Sequence, residues 1–143
     1  MTKRSFFLFF IILSISGFAQ EGSYYSADGV AIRGYDPVAY FTAGKAVKGN
    51  DNLSFQWSGS RWNFSSRENL ESFKADPAKY APQYGGWCAY GCSENHKSPT
   101  DPNAFTIVNN KLYLNYNLKV KELWIKDTTS RIMSADAYWK SLK

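Results

Sequence analysis

Apolar positions along this chain come in short blocks whose spacing alternates between the two-residue period of strands and the three-to-four-residue period of helices. The first block is of another kind. Phe6 to Ile15 (FFLFFIILSI) is a continuous apolar run, preceded by Lys3 and Arg4 and followed by Gly17, Phe18 and Ala19, with small residues placed for a cut at Ala19–Gln20. That is the layout of a cleavable secretory signal, and the run is far shorter than the roughly 20 residues needed to span a bilayer. Tyr35 to Phe41 (YDPVAYF) opens on a turn-forming Asp36-Pro37 and continues as a short apolar strand. Phe55-Gln56-Trp57 and Trp62-Asn63-Phe64 alternate aromatic and polar residues around Ser58-Gly59-Ser60-Arg61, which predicts a hairpin with its aromatics on one face.

Ser65 with Glu68 makes a capping box, and Leu70 and Phe73 follow at helical spacing. This helix should end at Ala75, because the proline in Asp76-Pro77 disfavours the α region before it and lacks a donor. Tyr80 and Tyr84 flank a further break at Pro82. After Gly85-Gly86, WCAYGCSENHK predicts a helix from Trp87 to His96, weakened at Gly91. Ser98-Pro99-Thr100-Asp101-Pro102 reads as a loop. Phe105 to Val108 and Leu112 to Leu114 are strands joined by Asn109-Asn110-Lys111, where Asn tolerates positive φ. Val120, Leu123 and Trp124 share one face of a helix over 117–126, and a last helix holds Ile132, Tyr138 and Trp139. The succession of strands, helices, a hairpin and helices predicts an α+β fold: short antiparallel strands and hairpins packed with several short helices in a single small domain.

Composition sharpens this picture in three ways. The chain of 143 residues is 17% aromatic, so it can bury large side chains without disulfide stapling, and two cysteines are too few for a disulfide framework. The formal charge of +5 is spread singly over residues such as Arg33, Lys45, Lys48, Arg61 and Lys74, with no dense block, which argues against nucleic acid or an anionic membrane as partner. Beyond the leader only Met133 offers a thioether, unlike the methionine-rich sites that soft-metal carriers use. The sequence has no internal repeat, low-complexity tract or linker.

The stretches GYDPVAYFTAGKAVKG (34–49) and ADPAKYAPQYGGWCAY (75–90) resemble the YHS-domain proteins, and NNKLYLNYN (109–117) and ADAYW (135–139) resemble the exported, stand-alone branch of that family. The resemblance spans 34–139. With the leader, it divides the chain into a signal peptide (1–19), an N-terminal lead-in (20–33) and a YHS-like domain (34–143), in a periplasmic or secreted protein with no transmembrane anchor after cleavage. It implies a fold rather than an activity. Metal-associated relatives carry a Cys after a DPV motif and two Cys around the start of the helix that follows the hairpin. Here those positions read Ala39 and Phe64-Ser65-Ser66-Arg67-Glu68-Asn69, and neutral hydroxyls are poor ligands for soft metals, so that site is absent.

The remaining chemistry lies in one segment. Cys88, Cys92 and His96, the only histidine, are spaced i, i+4, i+8 and would share one face of a regular helix. Two thiolates and an imidazole suit Cu(I) or Zn. Cys88 to His96 spans about 12 Å of helix, however, so adjacent pairs are easier to bridge with one ion than all three. A disulfide between Cys88 and Cys92 is opposed by the Cβ separation of about 5–6 Å at this spacing. Buried structural thiols and a solvated helix-end histidine are the plain alternative. The sequence has no GxSxG elbow, phosphate loop or HExxH pair, which leaves a nucleophile–base pair from the one His and two Cys as the enzyme chemistry still open. Asp36 and Asp101 sit beside prolines as turn formers, and Tyr80, Tyr84, Trp87, Tyr90, Tyr113 and Tyr116 either line a ligand groove or form core and rim. Three readings stand at this point: an exported binding or accessory module of the cell envelope, with an envelope protein partner and Cu or Zn held by Cys88, Cys92 and His96; a thiol-based redox protein; or a structural or partner-binding domain with inert thiols.

Overall fold

In the computed structural model, which describes residues 24–143, β6 (Lys111–Asn115) is the wall shared by two hydrophobic clusters. Its two-residue alternation sends Leu112 and Leu114 into one cluster and Tyr113 into the other. The first cluster gathers Val38, Tyr40, Trp62, Phe64, Leu70 and Phe73. The second gathers Tyr84, Ala89, Cys92, Tyr113, Trp124 and Ala135. The leader expected at 1–19 lies outside the described residues. Among the described residues no helix is long and apolar enough to cross a membrane.

The first cluster is roofed by a four-stranded sheet in the order β1 (Ser26–Ala27), β2 (Val30–Ala31), β4 (Ser60–Phe64), β3 (Asn50–Trp57). β3 and β4 form the expected hairpin, with Phe55 opposite Trp62 and Trp57 opposite Ser60. Its two-residue loop has Ser58 at φ 49° and Gly59 at φ 78°, the paired positive φ that matches strand twist. The aromatic face so formed closes on Phe73, whose ring centroid lies 5.1 Å from those of Trp62 and Phe64. The second hairpin pairs β5 (Asp101–Val108) with β6, and Asn109 and Asn110 turn it at φ 49° and 59°. The α+β class and the single small domain hold: short helices α1 (Ala39–Thr42), α2 (Arg67–Ala75), α3 (Pro77–Tyr80), α4 (Ala89–Ser93), α5 (Leu118–Ile125) and α6 (Thr128–Ser141) pack on these strands.

Four expectations need correction. Residues 35–41 do not continue as a strand. The Asp36 carboxylate accepts from the amides of Val38 (2.9 Å) and Ala39 (3.3 Å), which turns the chain into α1. The cap of α2 is Ser66, accepting from the Asn69 amide at 3.1 Å, and not Ser65. The helix expected from Trp87 to His96 shrinks to Ala89–Ser93. The loop expected over 98–102 becomes strand from Asp101 onward, with a register break between Asp101 and Phe105.

Ser65 is diverted because Asp36 claims it. The Asp36 side chain is fully buried (0% exposed), and its second oxygen accepts from the Ser65 amide (2.8 Å), the Ser65 hydroxyl (2.6 Å) and the Asn69 amide nitrogen (2.8 Å). One carboxylate therefore joins the start of α1 to the start of α2. Hydrogen bonds to a charged group contribute about 1.5–3 kcal/mol each, and a buried donor left unpaired costs a similar amount. Asp36→Asn presents an amide to donors and should lower unfolding free energy by about 2–4 kcal/mol in urea titration; a loss under about 0.5 kcal/mol would contradict this role.

Candidate functional site

Cys88 sits just before α4 with 1% of its surface exposed. Its sulfur takes the place of a capping oxygen, accepting from the Gly91 amide at 3.3 Å, and its S–H faces Asn115 Oδ1 at 3.7 Å. Asn115, fully buried on β6, also accepts from the Tyr90 amide at 3.0 Å, so one side chain fixes both the first turn of α4 and the thiol before it. Cys92, one turn on, is fully buried in the second cluster. Both thiols are free. Burial pushes the Cys88 thiol up, against the pull of nearby backbone amides. Burial pushes Cys92 further, from 9.0 up to about 12, with the neighbouring Cys88 adding to the shift and Lys97 opposing it.

His96 is not on this helix. Asn95 adopts φ 62°, its amide donates to the Cys92 carbonyl (3.2 Å), and the His96 amide reaches back to the Gly91 carbonyl (3.0 Å). This six-to-one closure ends α4 at Ser93 and turns the histidine aside. The exposed imidazole folds back over Gly91, where an added Cβ would lie 3.3 Å from His96 Nε2 and 3.2 Å from the His96 carbonyl. Gly91, read as a weak point of a longer helix, is the gap that admits the chain reversal. The structure thus buries Cys88 and Cys92 on successive turns and leaves His96 exposed, with its ring over Gly91 on the side of the Cys88 Cβ, which lies 3.5 Å from the same added Cβ. Among the described residues, no group of three or more His, Cys, Asp or Glu side chains is placed to hold a metal ion. Ala39 and the segment from Ser65 to Asn69 converge on the Asp36 carboxylate: the Ala39 amide, Ser65 and Asn69 all donate to it.

A concavity lies elsewhere. A groove of about 620 Å³ runs between the turn of the first hairpin, the segment 81–86 and the end of α6. That volume falls in the range of small-molecule sites, roughly 300–1,000 Å³. Rings of Tyr24, Trp57, Tyr84 and Trp139 line it with Ala81 and Pro82, and Lys97 and Lys143 supply charge. Its wall is held in an uncommon conformation. Tyr84, Gly85 and Gly86 have φ of 56°, 59° and 79° in succession, and a left-handed tyrosine costs about 1–2 kcal/mol. The surroundings impose it: the Tyr84 hydroxyl donates to Asp136 on α6 (2.8 Å), the Tyr25 amide donates to the Gly85 carbonyl (2.7 Å), and the Thr100 hydroxyl to the Gly86 carbonyl (2.9 Å). Burial, then the bond to Asp136, push the Tyr84 phenol far up, so it stays neutral. Of the aromatics singled out in the sequence, only Tyr84 lines the groove. Tyr113 is core, Trp87 and Tyr90 pack at the edge of the second cluster, Tyr80 at the edge of the first, and Tyr116 is exposed. The Gly85-Gly86 pair was the one sequence signal for this wall.

The raised thiols carry a pH and a reactivity signature. The folded state holds the Cys92 proton more tightly than the unfolded chain, so this contribution to stability is whole below about pH 9 and is lost as pH rises toward 12. Native protein at pH 8 should react with iodoacetamide roughly a thousandfold more slowly at Cys92 than the urea-unfolded chain, from thiolate fraction alone. Mass spectrometry of the labelled chain reads this; native labelling within about tenfold of the unfolded rate would contradict a buried, protonated thiol.

Residues 38–84 match the family model of the YHS domain. The match runs from the Asp36-anchored turn through the first hairpin, α2 and α3 to the strained tyrosine; the cysteine segment, the second hairpin, α5 and α6 lie beyond it. No curated protein and no solved structure matches the chain significantly. Trp57 and the groove wall from Ala78 to Tyr84 fall inside the matched region, whereas Tyr24, Lys97 and Trp139 are brought to it from outside. Over residues 38–84 the chain carries a YHS domain.

Proposed function

We propose that this protein is an exported binding module of the cell envelope that takes a small ligand into the groove beside Tyr84, with Cys88 and Cys92 serving as structural thiols. The observation that carries the reading is the groove itself: a ring-lined concavity whose wall keeps a tyrosine in a strained backbone conformation. Strain of this kind persists where surrounding structure over-determines it, and it concentrates at binding sites. The leader at 1–19 supports export.

The thiols favour the structural reading over the other two. Holding Cu or Zn through Cys88, Cys92 and His96 requires deprotonated sulfurs, and so does thiol–disulfide exchange. Burial works against both at neutral pH. Cys88 meanwhile has a defined task as the cap of α4, and Cys92 fills space beside Trp124 and Ala135 in the second cluster.

The test uses 1-anilinonaphthalene-8-sulfonate as probe, with thermal melting as folding control. Wild type should show one saturable site. Ala78 is exposed on α3 and lines the groove, so Ala78→Trp fills the groove without touching the core. It should weaken the probe at least tenfold, on the order of 1.4 kcal/mol, with melting unchanged. Cys92→Ala should lower the melting temperature yet bind the probe as wild type does below the transition. Equal binding by Ala78→Trp, or loss of binding in folded Cys92→Ala, would overturn the reading.

A further inference from the structure

The groove has a chemical polarity that narrows its ligand. Its walls are flat: Trp57 and Trp139 contribute indole rings, Tyr24 a phenol ring and Pro82 a pyrrolidine. Aromatic faces prefer offset or edge contacts with other rings, so a planar ring gains more here than a flexible chain of equal area. Charge enters with one sign. Lys97 and Lys143 line the groove, and among the described residues no Asp or Glu side chain does.

Lys97 is also held in place. Its ammonium lies 5.7 Å from the ring centroid of Trp87 and 5.4 Å from that of Trp139, so two aromatic faces steer it to the groove edge. A lysine constrained in this way loses less side-chain freedom on pairing with an anion than a free surface lysine does. The Tyr84 hydroxyl is already committed to Asp136, and the other side-chain polar groups of the lining, on Ser58 and Gln83, are neutral, so the lysines are its charged donors.

Resting on the groove as the binding site, we propose that its ligand is a small planar aromatic carboxylate, with the ring packed on Trp57 and Trp139 and the carboxylate paired with the Lys97 ammonium. The ring supplies most of the buried area, and the ion pair sets the orientation and selects the acid.

Isothermal titration calorimetry with 2-naphthylacetate and its neutral counterpart 2-(2-naphthyl)ethanol separates the two contributions. Wild type should bind the acid about three- to tenfold tighter than the alcohol. Raising NaCl from about 0.05 to about 0.5 M should erode that advantage. Lys97→Gln should remove the acid's advantage, read as the ratio of acid to alcohol affinity within that variant. Equal binding of acid and alcohol by wild type overturns the acidic class while leaving the groove as a site. An acid advantage that survives in Lys97→Gln overturns the assignment to Lys97. Binding of neither compound overturns the proposal; the groove reading then survives only if the anilinonaphthalene probe still saturates one site that Ala78→Trp removes.

Discussion

A buried carboxylate must be met by donors or it will not stay buried, and in this chain Asp36 is met entirely by neutral ones. Its two oxygens gather the amides of Val38 and Ala39, the amide and hydroxyl of Ser65, and the Asn69 side chain. Those donors come from the start of α1 and the start of α2, on either side of the first hairpin. Fixing them fixes how the hairpin's aromatic face meets Phe73, and hence where Trp57 and the following segment through Pro82 stand. The groove inherits its position from that carboxylate. Ala39, Ser65 and Asn69 all donate to Asp36, so this corner of the fold is a structural joint.

The second half of the molecule is joined to the first through β6. Leu112 and Leu114 face one cluster while Tyr113 and Asn115 face the other, so a five-residue strand serves two cores. On the Asn115 side, the short helix α4 is tied down by Cys88, Asn115 and the reversal at Asn95. α6 is pinned against it by Arg131, which stacks 4.0 Å from the Tyr90 ring centroid and pairs with Glu94 and Ser93. α6 in turn carries Asp136 and Trp139, one bracing Tyr84 and the other lining the groove. The cysteines thus affect the groove through packing, several contacts away from any ligand.

Much of the architecture was legible in the sequence because its signals were local. The two hairpins were written in alternating aromatics and in Ser-Gly and Asn-Asn turns, and the end of α2 in Asp76-Pro77. What misled was long-range. Ser65-x-x-Glu68 is a sound capping box by itself, but the claim of Asp36 on Ser65, 29 residues away, moved the cap to Ser66. The regular spacing of Cys88, Cys92 and His96 presumed a continuous helix; Gly91 and a left-handed Asn95 broke it, and the exposed His96 ring turned back over Gly91, where an added Cβ would meet both His96 Nε2 (3.3 Å) and Cys88 Cβ (3.5 Å). The groove was nearly invisible, since it is built from Tyr24, Trp57, Lys97 and Trp139, far apart in the chain, and from a tyrosine whose positive φ no propensity foretells.

We place ligand chemistry in the groove and not in the cysteine segment. A ¹H–¹⁵N chemical-shift map of uniformly labelled wild-type protein, recorded with 2-naphthylacetate and separately with Zn, locates both on one molecule. The aromatic acid should move the amides of Tyr24, Trp57, Ala78 to Ala81, Gln83 to Gly86 and Trp139, and Zn should leave Cys88 to Ser93 in place at neutral pH. Zn shifts centred on Cys88 and Cys92, with the groove amides unmoved by the acid, would contradict it.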